Sequence, residues 1–313
     1  MKPENNFSRA FIDLAKMGRT DWRRVALTIL LVKFLSILFV MTSLIVAVSP
    51  TFFKHPFFHI PDADRIVVLE LAEAAASIFG FWLACKKFLR RPFRSLISTD
   101  MTFHIRRCLL GAALYLPANA LGLMAMSLFF SMRAGAWLVP FRHFEWPQHN
   151  AQIIPSIGML IVIPFLAFAE ELFFRAWLTQ TLRHYIRSTI TVVALVAVLF
   201  AAYHTQYDLR EKMLMVVCSL GFSALSLRDQ RLELAIGAHS MMNVCATLQS
   251  LFFTGPLPHA QVPATMLDWC TLVILKGALP LVVMYGVLQK TGGWSAPTDA
   301  RLASPGKVQP GYL

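Results

Sequence analysis

The sequence predicts an all-α fold, a polytopic transmembrane bundle of about eight helices preceded by an amphipathic N-terminal helix. Three observations carry this. Of 313 residues, 57% are hydrophobic and only 15% are charged, whereas soluble domains carry about 25% charged residues. The mean hydropathy is +0.58. The apolar residues are also gathered into runs of the length that crosses a bilayer, about 20 residues each. An ordinary soluble globule and a disordered chain are both excluded.

The elements follow in order. Residues 1–24 are too polar to span, but Phe7, Phe11, Leu14 and Met17 recur at helical spacing. That pattern predicts an amphipathic cytoplasmic segment lying on the membrane. No short apolar core with a small-residue cleavage site marks a signal peptide. The membrane domain is expected over 25–288, with spans at 25–48, 66–85, 108–132, 153–178, 189–206, 213–227, 232–253 and 266–288. Pro117, Pro155, Pro164 and Pro280 fall inside spans, where neighbouring helices can satisfy the freed carbonyls. Residues 289–313, rich in glycine and proline, read as a flexible tail. No internal repeat supports an inverted-repeat transporter.

Charge and cysteine narrow the function classes. The five cysteines lie in or beside apolar runs without CxxC spacing and read as small buried hydrophobes. The net charge of +12 records membrane topology rather than nucleic-acid binding. Twenty Lys and Arg fall on the side of the two termini and six on the other. Both termini of a multi-pass integral membrane protein are therefore expected in the cytoplasm.

An ionisable side chain inside a span costs several kcal/mol, from about 2.5 upward, and persists mainly where it is paired or functional. The intramembrane polar residues are therefore the informative ones. In the fourth span, Glu171 and Arg175 are four apart and share a helix face in the favourable order. Glu170 is rotated by about 100° from Glu171 and points away from that pair. A carboxylate in low dielectric suits a general base near neutral pH; a structural ion cluster is the bland alternative. His204 in the fifth span is 17 residues beyond Arg187, as Glu170 is 17 before it, so a hairpin turning there would set the two level. His239 and Asn243, four apart, project from one face of the seventh span. One buried histidine is ordinarily a packed core residue. Two histidines, an amide and a carboxylate on three spans point to chemistry. Glu70 and Glu73 in the second span read as structural carboxylates, paired with Lys33 or Lys276.

The ordered set Glu170-Glu171-x-x-x-Arg175, Phe200-x-x-x-His204 and His239-x-x-x-Asn243 resembles the CPBP family, the CAAX prenyl endopeptidase and bacteriocin-processing membrane proteins also called Abi. The resemblance covers spans four to seven, the expected catalytic core over 153–253. It implies an intramembrane endopeptidase acting on a membrane-associated or lipid-modified protein. Glu170 and His204 would activate a water, His239 and Asn243 would hold the oxyanion, and Glu171 and Arg175 would support the geometry. No cofactor is expected on that reading, and membrane lipid and a peptide substrate are the expected partners.

Four alternatives stand beside it. Two histidines and a carboxylate could bind zinc with an open position for water, although HExxH is absent and Asn243 would become a spectator. Ser223 precedes His239 as a candidate nucleophile, but in rhomboid proteases the HxxxN motif comes before the serine. A non-catalytic membrane scaffold or immunity factor, or a proton-relaying transporter, would also retain buried carboxylates and histidines.

Overall fold

The computed structural model describes residues 11–48, 62–138, 143–144, 150–254 and 265–295. Helices stand at all eight predicted places: α1 Trp22–Val48, α2 Asp62–Ala84, α3 Ile105–Ala134, α4 Asn150–Glu171, α5 Thr189–Tyr203, α6 Leu209–Asp229, α7 Glu233–Phe252 and α8 Met266–Leu272. Three run on through π-helical segments: α2 into Cys85–Leu89, α4 into Leu172–Leu178 and then Thr179–Tyr185, and α8 into Val273–Ala278 and then Leu279–Thr291. Five of the described helices are long and apolar enough to cross a membrane. The chain is a multi-pass membrane protein built as a helix bundle.

The other three helices fall outside that set. The apolar helix α5 has 15 residues and ends at Tyr203, not 206. Helix α6 opens on Arg210, Glu211 and Lys212 and closes on Arg228 and Asp229. In α7, every residue from Glu233 to Ser240 is buried in protein. A helix walled in by other helices needs no apolar face toward lipid, so small and polar residues replace leucine and isoleucine.

The chain divides into two compact units. Of the described residues, the first comprises 104–138, 143–144, 185–254 and 265–295, and so holds α3 and α5 to α8. Its most extensive helix contact is α3 on α7. Gly111 of α3 lies against the Leu234 carbonyl, and Gly237 of α7 against the Cys108 carbonyl, leaving no room for a Cβ at either place. Two backbones approach this closely only through reciprocal glycines. Asp208 caps α6 in a full capping box with Glu211, and Ser188 caps α5. At the far end of α6, Arg107 Nε donates to Asp229 Oδ2 at 2.9 Å, and the backbone N–H of Ser295 donates to Asp229 Oδ1 at 2.8 Å. Arg231 pairs with the buried Glu233, which also accepts from the His104 backbone N–H. Residues 143–144 and 253–254 form a two-residue antiparallel ladder.

Of the described residues, the second unit comprises 11–48, 62–103 and 150–184, and packs α2 against both α1 and α4. Of the expected amphipathic segment, Phe7 lies outside the described residues. In the part from residue 11 onward, Phe11 and Ile12 are helical and a 3₁₀ turn follows at Leu14–Met17. Phe11 and Leu14 are buried in protein, and Met17 is exposed. Arg19 donates its N–H to the Leu89 carbonyl at 2.7 Å, which ties this segment to the end of the Cys85–Leu89 turn. Arg91 donates to Gln180 at 2.6 Å, and Gln180 donates to the Ser95 carbonyl at 3.1 Å. This buried relay anchors the C-terminal end of the extended α4.

Candidate active site

The acidic motif lies at a change of helical form. The α-helical part of α4 ends at Glu171, and the π-helical segment starts at Leu172. A π turn widens the helix and re-aims its side chains, a feature common at functional sites. The expected pair is present: Arg175 Nη1 lies 3.1 Å from Glu171 Oε1, and both side chains are essentially fully buried. The guanidinium also lies 5.9 Å from the centroid of the Phe174 ring. Phe81, Phe173 and Trp177 form an aromatic cluster here, with centroids 5.5 to 5.9 Å apart. Thr179 Oγ1 donates to the Phe174 carbonyl at 2.7 Å, occupying a backbone acceptor in the widened segment. Buried charge in such surroundings is tolerable only when neutralised.

Glu170 is half-buried, in contrast to the sealed Glu171. Glu70 of α2 lies within electrostatic reach of both Glu73 and Glu170. The sequence reading placed Glu70 and Glu73 in a structural role with Lys33 or Lys276, and missed this relation to Glu170.

The histidine motifs belong to the first unit. His204 is the residue just past the C-terminus of α5, with non-helical backbone angles. Its Nδ1 lies 2.8 Å from the Phe200 carbonyl. A carbonyl only accepts, so Nδ1 carries the proton and Nε2 is the basic nitrogen. The ring lies between aromatic neighbours, 4.7 Å from Phe200 and stacked on Tyr207 at 5.8 Å. His239 of α7 is almost completely buried. It stacks on Phe222 at 4.9 Å and meets the same Phe200 ring edge-on at 6.0 Å. Phe200 therefore organises both imidazoles, a role not read from its place in the motif. Asn243, one turn further along α7, is half-buried and lines a cavity of about 350 Å3.

Ser223, weighed as a nucleophile, is buried, and its Oγ has no hydrogen-bond partner among the described residues. Among the described residues, no three His, Cys, Asp or Glu side chains gather as they would to hold a metal ion.

What the geometry defines is a multi-pass helical membrane protein in which one unit holds a buried ion pair next to Glu170, and the other holds two histidines packed on Phe200, one of them a helical turn from Asn243. Residues 152–245 match the family described as Type II CAAX prenyl endopeptidase Rce1-like, and this stretch contains every residue of the three motifs. The resemblance read from those motifs is thus found in the chain as a family match. The uncharacterised protein YyaK of Bacillus subtilis (strain 168) is 27% identical over 150 residues, 45% of this chain and 46% of that protein. The chain spans about half the length of this curated relative.

Proposed function

We propose that the protein is an intramembrane endopeptidase that hydrolyses a peptide bond of a membrane-associated protein. The observation that carries this reading is the family match over 152–245, which encloses all six candidate site residues. Glu170 and His204 activate the attacking water. The Nδ1 contact of His204 supports this, because it leaves Nε2 free to take a proton. His239 and Asn243 donate to the oxyanion of the tetrahedral intermediate, and such donors act most strongly where water is excluded. Glu171 and Arg175 hold the turn that presents Glu170. Both termini face the cytoplasm on this reading, which the excess of Lys and Arg on their side of the chain supports.

The mechanism proposed uses no metal. A histidine base and a carboxylate supply the nucleophile, and the amide at position 243 then has a task that a zinc site would not give it. Cleavage by the purified protein is expected to survive exhaustive chelation and the substitution Ser223→Ala, and to disappear in Glu170→Gln. Loss on chelation with recovery on added zinc would replace this mechanism by the metal-dependent one. Loss in Ser223→Ala with an intact fold would replace it by a serine mechanism.

A further inference from the structure

Two adjoining cavities in the first unit, the smaller of them the one that Asn243 lines, carry a chemistry beyond the oxyanion contact proposed for that residue. The smaller, of about 350 Å3, presents Lys276 together with the polar side chains of Tyr115, Asn119 and Gln249. The larger, of about 800 Å3, is a groove walled by Leu116, Met124, Leu128, Leu248 and Trp137. Asn119, Leu123, Cys245 and Gln249 border both, so a polar compartment abuts an apolar one. Each volume lies within the range of small-molecule sites, about 300–1,000 Å3. Leu116, Met124, Leu128 and Trp137 are all at least half exposed, which leaves the groove open along the flank of a membrane-spanning helix.

The other charges at the polar compartment are engaged. Arg210 lies 4.4 Å from the centroid of the Trp269 ring, and Asp208 and Glu211 close the capping box of α6. Lys276 differs. No hydrogen bond or ion pair holds its ammonium among the described residues, and Glu211 reaches it only as a charge at longer range. It sits in the π-helical segment Val273–Ala278, which precedes Pro280 by one turn and accommodates the hydrogen bond that this proline cannot donate. An ammonium at membrane depth is costly until an anion joins it.

The groove decides what carries that anion. Its polar side chains are Asn119, Ser127 and Gln249, and Ser127 Oγ already donates to the Leu138 carbonyl. A peptide would bring a backbone donor and acceptor with every residue, each needing a partner away from water. A hydrocarbon chain brings none.

We propose that the two cavities bind a single-chain lipid anion, a long-chain fatty acid, with its carboxylate on Lys276 and its chain along the groove beside Leu248 and Met124. The proposal does not depend on the peptidase reading.

The test uses the full chain in nanodiscs of zwitterionic phosphatidylcholine, titrated with dibromostearic acid. Trp137 and Trp269 line the two cavities, so bound bromine quenches their fluorescence. Saturable quenching by the acid is expected, with at least about tenfold weaker binding of the neutral methyl ester. Lys276→Gln is expected to weaken the acid by a similar factor and leave the ester unchanged, and Lys276→Arg to retain the acid. Equal binding of acid and ester, or an unaltered Lys276→Gln titration, overturns the proposal. So does displacement of the acid at equal concentration by phosphatidylglycerol or by an apolar peptide with a free carboxyl terminus. Should the glutamine variant not fold, Leu248→Trp fills the groove and is expected to abolish binding; undiminished binding in that variant overturns the proposal equally.

Discussion

His204 and His239 share one neighbour: both imidazoles pack on the ring of Phe200, with centroids 4.7 and 6.0 Å away. Phe200 is fully buried, and its carbonyl also accepts from His204 Nδ1. One residue thus fixes the tautomer of one histidine and the packing of both. Phe200→Ala should cost about 3–5 kcal/mol of stability, read as a fall in the thermal midpoint of purified protein. Phe200→Tyr, which keeps the ring, should keep more of any peptidase activity than of stability. Equal stability of Phe200→Ala and the parent would remove this organising role.

The buried Glu171–Arg175 pair predicts a strongly non-additive double-mutant cycle. Glu171→Ala or Arg175→Ala alone strands a buried charge and should cost about 3–5 kcal/mol. The double variant Glu171→Ala/Arg175→Ala should cost less than the sum, because neither charge remains to be desolvated. Thermal unfolding of the four proteins in one detergent measures the coupling. Strict additivity would show that the two side chains do not depend on each other.

The contact of α3 with α7 predicts that the two glycines in it are not interchangeable with glycines elsewhere. Gly237→Ala places a methyl group against the Cys108 carbonyl, and overpacking of this kind costs about 1–3 kcal/mol or more. Gly286, by contrast, has nothing within 4 Å of the position a Cβ would take. Gly286→Ala should be neutral or stabilising by up to about 1 kcal/mol through helix propensity. A comparison of the two thermal midpoints checks this, and a harmless Gly237→Ala would refute the close approach.

The oxyanion role assigned to Asn243 predicts a loss in kcat of about 10²–10³ for Asn243→Ala, with KM little changed. Asn243 is half-buried and faces a cavity, so the truncation leaves no tight void and the fold should persist. A variant that folds and cleaves at the parental rate would take Asn243 out of the mechanism.

Much of the fold was legible because membrane burial imposes a long, simple signal. Eight apolar runs became eight helices, with ends displaced by a few residues. The charged residues of α4 were conspicuous for the same reason, and the Glu171–Arg175 pair follows from a four-residue spacing. Other features depend on tertiary packing and leave a weaker trace. The π-helical segment Leu172–Leu178 is made of ordinary helix formers, and nothing in Leu-Phe-Phe-Arg-Ala-Trp-Leu distinguishes it from α-helix. His204 was read within a span extending to 206, whereas the helix stops one residue before it. Phe11 and Leu14 fit an amphipathic stripe equally well whether it faces lipid or protein, and they are buried in protein. Burial of α7 could have been inferred from Ala235, Gly237 and Ala238, since small residues mark helices that meet other helices.

The central claim is that the motif residues hydrolyse peptide bonds of membrane proteins. The most direct measurement compares the C-terminal peptides of membranes carrying equal amounts of the parent protein or Glu170→Gln, by quantitative mass spectrometry. The account predicts new carboxyl termini in the membrane-protein fraction that depend on the parent protein, vanish in Glu170→Gln and vanish equally in His204→Ala. Identical sets of termini in the three samples, or termini formed undiminished by Glu170→Gln, would contradict it.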